Sequence, residues 1–270
     1  RERLQPLFDL GASACGSTDF AVLLSVHALL MSRLSGQDEV TIGTTLLNRP
    51  ELDDLSTVGC FVNTAALPFS LQDEDLTFRT LLDRTVAGLT GMLDLQEAPY
   101  TKVLDALDVP RDPSHHPVFQ TMLTMLGQPK QLRLGSGLVT RPHRVERVAG
   151  KFDLLLYVSD DGEALELEAE FNTDLFDPLT VERYLRRFVR TAESLAGHFD
   201  KEVRRLPVLL AEERELIRGA WNDTARNYPG TTVVDEIEAQ DWRIRYDPAL
   251  IERAHRMYGD FLRARSETAR

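Results

Sequence analysis

Residues 41–64 concentrate the side chains most able to bind and orient a polar ligand. They include one arginine, two asparagines and three acidic residues, set between two β-prone runs at 40–47 and 58–67. Pro50, Asp53 and the polar residues around them cannot sit inside a β-ladder, so we expect the chain to leave the sheet here as a loop between two strands. Polar loops carried by a rigid scaffold often hold binding residues, which makes this loop our candidate site.

Two other patterns could carry chemistry, and for both we favour a structural interpretation. His27 lies in an apolar segment without an accompanying acid or nucleophile, so a hydrogen-bonded core histidine is favoured over a catalytic one. Glutamates alternate with apolar residues along 164–171, as in a strand with one buried and one wet face. Since no histidine stands among these glutamates, a solvated sheet face is favoured over a metal site.

Composition restricts the classes of partner. The chain has 270 residues, 43% of them hydrophobic, and a net charge of −12, which disfavours nucleic acid and anionic membranes as general partners. The longest apolar run, 20–31, is too short to cross a bilayer. Cys15 and Cys60 have no metal-ligand spacing, so we expect reduced core or near-core thiols and a cytoplasmic protein. The chain begins with Arg1 rather than methionine, and we expect it to be a piece of a longer protein.

The elements that must position these residues follow from periodicity and capping. Thr18 and Gly36 bracket one predicted helix, and Thr77 caps a second. The remaining predictions are a helix over 99–107, a buried strand over 118–126, a hairpin formed by 151–159 and 164–171 and joined at 160–162, a helix over 178–199, and a helix within 241–270.

The wording of the candidate loop resembles a known family. IGTTLLNRPE at 42–51 and VGCFVNT at 58–64 resemble the paired I-G-T-P-x-x-G-R and V-G-x-F-V-N-T phrases of nonribosomal peptide synthetase condensation domains. Thr45 stands where the family usually has Pro, and Asn48 where it usually has Gly. Both departures fall at positions that shape the backbone, so the turn can differ locally from the family's.

Four further phrases, one before the loop and three after it, occur in the same order as in the family. SGQD at 35–38, RDPSHHPVFQ at 111–120 and EFNTDLFD at 170–177 resemble family phrases, the last with Phe171 in place of Tyr. WNDTARNYP at 221–229 resembles the linker that precedes an adenylation domain. The resemblance implies a C-terminal condensation lobe over 1–205, then a linker and the start of an adenylation-like segment over 206–240. Residues 241–270 match nothing in the family and are interpreted as an amphipathic helical tail.

The resemblance carries expectations for fold and function. It implies an α/β fold like chloramphenicol acetyltransferase, a two-layer sandwich in which a mixed, mostly antiparallel sheet packs with helices, as one lobe of a two-lobed domain. The implied function is amide-bond formation between aminoacyl or peptidyl thioesters on carrier proteins. The implied partners are peptidyl carrier domains with their phosphopantetheine arms, the first lobe and an adenylation domain; no metal or directly bound cofactor is implied.

The same resemblance assigns roles to the loop. Thr44, Thr45, Asn48 and Arg49 are expected on the floor of a substrate tunnel, with Asn63 and Thr64 at its far edge. For Arg49 an ion pair with Glu51 or Asp53 is an open alternative, and for Asn63 and Thr64 a purely structural turn is favoured.

The catalytic H-H-x-x-x-D-G phrase of the family is absent from the chain. His115 and His116 are followed by Pro117 and lack its Asp and Gly, so we favour structural or surface roles for them. We therefore predict no condensation activity for the chain alone. Two alternatives stay open, a non-catalytic module that binds carrier or tailoring proteins and a truncated synthetase remnant; an epimerisation domain is disfavoured by the linker phrase.

Overall fold

The structure is a computed structural model, and it describes residues 1–51, 53–110, 112, 114–126 and 150–225. The chain divides into two compact units, Arg1–Arg214 and Glu215–Arg270. The predicted tail over 241–270 and the linker beyond residue 225 lie outside the described residues. The domain boundary at 205/206 stays a prediction.

Six α-helices and five strands, with three short 3₁₀ turns, make up the regular elements of the described part. The α-helices and strands are α1 (Gln5–Cys15), α2 (Asp19–Ser35), β1 (Glu39–Leu46), β2 (Asn63–Ser70), α3 (Phe78–Asp94), α4 (Tyr100–Leu107), β3 (Thr121–Leu126), β4 (Leu154–Asp160), β5 (Leu165–Phe171), α5 (Pro178–Leu195) and α6 (Ala211–Arg218).

The strands form one mixed sheet in the order β2-β1-β3-β4-β5. The central strand β3 runs parallel to both β1 and β4. The outer pairs β1–β2 and β4–β5 are antiparallel, and each has more paired positions than either parallel pair. The predicted mixed α/β sandwich is therefore confirmed. The parallel arrangement also brings the carboxyl ends of β1, β3 and β4 to the same edge of the sheet.

The main core lies between one face of the sheet and helices α1, α2, α3 and α5. Ile42, Leu123 and Leu156 project from the three central strands into this layer and are completely buried. Because side chains alternate along a strand, the intervening residues face the other side. There a smaller apolar cluster forms around Phe119, Met122 and Leu155.

Close packing in this smaller cluster explains the glycine of the I-G-T phrase. A Cβ built on Gly43 would lie 2.1 Å from a ring carbon of Phe119, which is fully buried. Only glycine lets the phenyl ring lie directly on β1. The glycine of one recognised phrase and the phenylalanine of another are thus a single packing contact.

Capping explains why the predicted helix starts are correct. Thr18 accepts a hydrogen bond from the Ala21 amide and Thr77 accepts one from the Thr80 amide, so both serve as N-caps. Gly36 ends α2 in the left-handed conformation, with φ of 71°.

Several predicted boundaries are wrong. The strand predicted over 58–67 begins only at Asn63. The reason is that β1 ends at Leu46, which pairs with Asn63, so residues 58–62 have no β1 residue to pair with. β3 begins three residues later than predicted, after Val118 takes a positive φ of 72°. The helix predicted over 178–199 gives way to a 3₁₀ turn after Leu195, and α1 was not predicted at all.

One cysteine assignment also needs correction. Both cysteines are free thiols, as expected, and Cys15 is half-buried beside the core. Cys60, which we predicted to lie in or near the core, is exposed. The reason is that its segment belongs to the loop and not to the predicted strand.

Candidate functional site

The candidate loop, defined here as residues 47–62, leaves the sheet at the carboxyl end of β1. The last paired position before it is Leu46 opposite Asn63. Within the loop, Asp53–Ser56 form a short 3₁₀ turn, stabilised by hydrogen bonds from the Ser56 and Thr57 hydroxyls to the carbonyl of Asp53. The loop is therefore folded locally rather than extended.

Arg49 braces this loop from within. Its guanidinium donates one hydrogen bond to the carbonyl of Thr57 (2.9 Å) and another to the carbonyl of Gly59 (3.1 Å). It also lies over the ring of Phe61, 4.1 Å from the centroid, as in a cation–π contact. These contacts join the two ends of the loop, so Arg49 has a structural role there whatever else it binds.

Asn48 shapes the exit from β1. Its φ is 52°, in the left-handed region that glycine and asparagine adopt most readily. This explains how Asn can stand where the resembling family usually has Gly. Its side-chain oxygen Oδ1 is buried and makes no hydrogen bond in the structure. A buried acceptor without a donor costs free energy, so this atom is a potential contact point for a ligand.

The two threonines at the end of β1 point to opposite faces of the sheet. Thr44 faces the helices, is only 1% exposed, and its hydroxyl is also without a hydrogen bond in the structure. Thr45 faces the other side, where its hydroxyl pairs with that of Thr124 on β3. Thr64 stands directly opposite Thr45 in the β1–β2 ladder. The open face next to the loop thus presents three neighbouring threonines.

Asn63 is a structural clamp. Its Nδ2 donates to the carbonyls of Gln96 (2.9 Å) and Ala98 (2.6 Å), and its Oδ1 accepts from the amides of Thr64 and Tyr100. Three of these four bonds hold β2 against the turn between α3 and α4 and the start of α4, and the fourth is local to β2. This geometry agrees with the structural role favoured for Asn63.

The structure thus brings together only part of the predicted set. Asn48 and Arg49 lie in the loop, and Thr45 and Thr64 lie on the open sheet face beside it, whereas Thr44 faces the helix layer. Two contributing residues were not predicted, Phe61 and Thr124. Phe61 could have been found as an aromatic residue within reach of a loop arginine, but the position of Thr124 depends on strand register.

His27 is a core histidine, as the sequence analysis favoured. The ring is completely buried, with Nδ1 2.5 Å from the Tyr184 hydroxyl and Nε2 2.9 Å from the Thr121 hydroxyl. Burial lowers the pKa of His27 to about 3, because the charged imidazolium would lose its hydration. The ring is therefore neutral at physiological pH and fully occupied by two neighbours.

The adjacent pair His115 and His116 is structural as well. His115 is exposed and lies beside Asp112 and Ser114. The ring of His116 stacks on Tyr100 and packs against Phe119, while its Nδ1 lies within hydrogen-bond distance of the Pro117 carbonyl. Within the described residues, no group of three or more His, Cys, Asp or Glu side chains could hold a metal ion.

The alternation along β5 matches the predicted hairpin. Leu165, Leu167 and Phe171 pack against the main core, so the three glutamates between them project from the opposite face. Among the described residues no single helix is long and apolar enough to cross a membrane. Helices α1 and α2 meet the length and hydropathy criterion only together, and they are bent by 104° where they join.

Comparison with known proteins identifies the family. The family model described as "Condensation domain" matches residues 3–218. Tyrocidine synthase 2 of Brevibacillus parabrevis is 28% identical over 239 residues, which cover 88% of this chain and 7% of that protein. Chondramide synthase cmdD of Chondromyces crocatus is 33% identical over 215 residues, which cover 79% of this chain and 5% of that protein. The chain thus spans a small part of the curated relatives it matches.

Solved structures share the fold. A four-domain nonribosomal peptide synthetase bound to AMP and glycine matches with a TM-score of 0.71 at 22% identity, over 79% of this chain and 17% of that one. The X-domain in complex with OxyB from teicoplanin biosynthesis matches with a TM-score of 0.63 at 24% identity, over 77% of this chain and 45% of that one. With the family model matching most of its length, the chain belongs to the condensation domain family.

Proposed function

We propose that this chain is the second lobe of a nonribosomal peptide synthetase condensation domain and forms one wall of the passage in which two carrier-bound thioesters meet. The synthetase relatives and the family match support this assignment. The coverage of solved condensation domains also supports it. The chain matches 46% of one such domain and 45% of another, about the share expected for one lobe of two.

The position of the candidate loop is the observation that carries the proposal. In open sheets with parallel strands, ligands bind beyond the carboxyl ends of the strands. The loop leaves β1 at that edge, and Arg49 holds it in a folded shape by binding its backbone carbonyls. A loop fixed in this way can hold a long, flexible substrate arm in one orientation.

The open sheet face beside the loop suits the amide groups of a phosphopantetheine arm. Thr45 and Thr64 offer hydroxyls that can donate or accept, and Asn48 Oδ1 is an acceptor that still lacks a donor. When a carrier protein is bound, its arm would supply the thioester to be attacked. The residues of this chain would orient the arm.

Alignment is most of what this reaction needs. A thioester is already activated, and an α-amine with a pKa of about 8 is partly neutral near pH 7. Holding amine and thioester together can therefore supply much of the acceleration. A histidine acting as general base would add to it. Among the described histidines, His27 and His116 are engaged in packing and hydrogen bonds, and we infer that the first lobe supplies the base, as the resemblance implies.

A non-catalytic role is the second candidate. The likeness to an X-domain whose complex with OxyB is known favours it, since that protein shares this fold and binds a partner. We infer that a module of this kind would bind an oxygenase or carrier without forming product. A truncated synthetase remnant would do neither. A cytoplasmic location stays a prediction under all three hypotheses.

Substitution of Arg49 tests the catalytic proposal. The chain would be fused behind the first lobe of a related condensation domain and supplied with loaded donor and acceptor carriers. Arg49→Ala removes both carbonyl contacts and the cation–π contact, so we expect turnover to fall by about tenfold or more, from lost positioning. The melting temperature should change little, because the loop lies outside the main core.

Two further variants serve as controls. Arg49→Lys keeps the charge but loses the planar fork that reaches two carbonyls, so it should be nearly as slow as alanine. Arg190→Ala removes an exposed arginine from α5 and should leave turnover unchanged. Equal losses of turnover and of stability in Arg49→Ala would favour a purely structural role for this residue.

A further inference from the structure

A cavity lies at the opposite end of the parallel strands from the candidate loop. It is bounded by the end of α2, the starts of β1, β3 and β4, and the first turns of α5. Its volume of about 620 Å³ is within the usual range for small-molecule sites. Thr41 lines the cavity near one end of β1, and Leu46 marks the other end, so about 17 Å of strand separate cavity and loop.

Apolar side chains form part of the wall of this cavity. Met31, Val40, Phe176 and Val181 contribute to it, and Leu34, which is 41% exposed, stands at the rim. Apolar side chains lining a cleft favour a ligand with a hydrocarbon body, because both surfaces leave water on binding.

Two hydroxyl-bearing residues stand out among the polar residues of the lining, because they share one buried partner. Thr121 and Tyr184 both line the cavity, and both bind the buried ring of His27. A neutral imidazole donates through one nitrogen and accepts through the other, so one hydroxyl must accept and the other must donate. The accepting hydroxyl keeps its own proton for a ligand, and the donating one keeps its lone pairs. In either tautomer the pair offers one donor and one acceptor.

The charges around the cavity disfavour anions. Glu39 and Asp153 line it, whereas Arg187, the one arginine among its described lining residues, is held by Glu213 through two hydrogen bonds of 2.6 and 3.0 Å. Burial of His27 lowers its pKa to about 3, so the neighbouring imidazole adds no positive charge near neutral pH. From these described residues, a carboxylate ligand would meet two like charges and no free cation.

Backbone strain coincides with the same cavity. Val118, which lines it, has a φ of 72°, an unfavourable conformation for a β-branched residue. Strained residues of this kind concentrate at ligand-binding and functional sites. This observation is independent of the lining chemistry.

We propose that this cavity is a binding site for an uncharged, elongated apolar molecule whose head group both donates and accepts hydrogen bonds, such as a primary carboxamide. The hydrocarbon body would lie along Met31, Phe176 and Val181, and the head group would meet the hydroxyls of Thr121 and Tyr184. The site does not depend on the condensation proposal, since it lies at the other edge of the sheet.

Titration with three eight-carbon probes tests this site. Octanamide, octanoate and octylamine would be added to the ¹⁵N-labelled chain at pH 7, and amide shifts followed by NMR. We expect octanamide to give saturable shifts at the starts of β1, β3 and α5. Octanoate should bind about tenfold more weakly, from like-charge repulsion and a lost hydrogen-bond donor, and octylamine should also bind more weakly than octanamide, because its ammonium group cannot accept a hydrogen bond. Asp153→Asn removes one of the two like charges, so the affinities of octanamide and octanoate should become more similar in this variant.

A matched pair of tryptophan variants completes the test without disturbing the core. Leu34→Trp fills the rim of the cavity and should weaken octanamide binding about tenfold or more. Leu93→Trp, at a similarly exposed leucine on α3, should leave it unchanged. The proposal is wrong if octanamide gives no saturable shifts in the cavity, if octanoate binds as tightly as octanamide, or if Leu34→Trp binds it as the unaltered chain does.

Discussion

Buried polar side chains differ in their hydrogen bonding between the helix layer and the candidate loop. In the helix layer, His27 is paired at both nitrogens, and the Ser25 hydroxyl bonds both the Ala21 carbonyl and the Thr85 hydroxyl. At the loop, Asn48 holds a left-handed backbone conformation and a buried oxygen without a hydrogen bond. The groups around His27 and Ser25 are mutually satisfied and Asn48 Oδ1 is not, although the buried hydroxyls of Thr44 and Thr191 in the helix layer are also without a hydrogen bond.

This difference separates scaffold from site. Buried polar groups that bond one another fix a unique packing, and around His27 only the hydroxyls of Thr121 and Tyr184 keep a donor and an acceptor for a ligand. Strained or unsatisfied groups at a surface loop cost stability and persist where they serve binding. The comparison therefore predicts large stability effects in the helix layer and small ones in the loop, where function should respond instead.

The largest expected effect is at His27. His27→Leu removes a completely buried imidazole and its bonds to the Tyr184 and Thr121 hydroxyls, which should cost about 3 kcal/mol of unfolding free energy. Chemical denaturation followed by circular dichroism measures it. His115→Ala, at an exposed histidine, should stay within about 0.5 kcal/mol of the unaltered chain. A His27 variant as stable as the His115 variant would contradict the scaffold role.

The pH dependence of stability gives a second test of the role of His27. The pKa of His27 is about 3 in the folded chain and about 6.5 when unfolded, so the unfolded state takes up a proton first as pH falls. Stability from this group is complete above pH 6.5 and is lost as pH falls toward 3. The stability advantage of the unaltered chain over His27→Leu should therefore shrink across that window. A constant difference would show that His27 titrates normally.

A smaller loss is expected at Asn63, on the border between the two regions. Asn63→Ala removes the bonds to the carbonyls of Gln96 and Ala98 and should cost about 2 kcal/mol. Gln96→Ala is the matched control, since only its backbone carbonyl takes part, and it should cost much less. If Asn63→Ala proved neutral for stability but impaired turnover, Asn63 would belong to the site.

The smallest effect is expected at Asn48. Asn48→Gly suits the left-handed conformation and should be close to neutral, whereas Asn48→Val should lose about 1–2 kcal/mol from steric conflict between its side chain and the backbone. Thermal melting of both variants measures the difference. Equal melting temperatures would show that the turn adapts freely and that its backbone conformation is not imposed.

Local signals explain which parts of the fold were predictable. Thr18 and Thr77 cap helices with their own hydroxyls, so their positions could be read directly from sequence. The start of β2 could not, because it depends on where β1 ends and on the contacts of Arg49 with loop carbonyls. The helix α1 was missed although Pro6 and Gly16 mark its two ends. A proline in the first turn and a glycine directly after the last turn are both helix signals that the sequence carries.

The position of the candidate loop was predictable from the sequence, but the arrangement of its side chains was not. The polar residues of the loop mark where the chain leaves the sheet, and the family phrases name the same segment. Whether Thr44 or Thr45 faces the open side depends on strand register, which the sequence does not specify. Likewise Asn63 reads as a site residue until its four hydrogen bonds to the chain are known.

Product formation by the chain alone tests the central claim most directly. The purified 270-residue chain and the same chain fused behind a first lobe would each be mixed with loaded donor and acceptor carriers, and dipeptidyl product measured by mass spectrometry. We predict product from the fusion and only background from the chain alone, because we propose that this lobe positions the substrates and that the first lobe supplies the catalytic imidazole. Dipeptide formed by the isolated chain at a rate comparable to the fusion would contradict that claim.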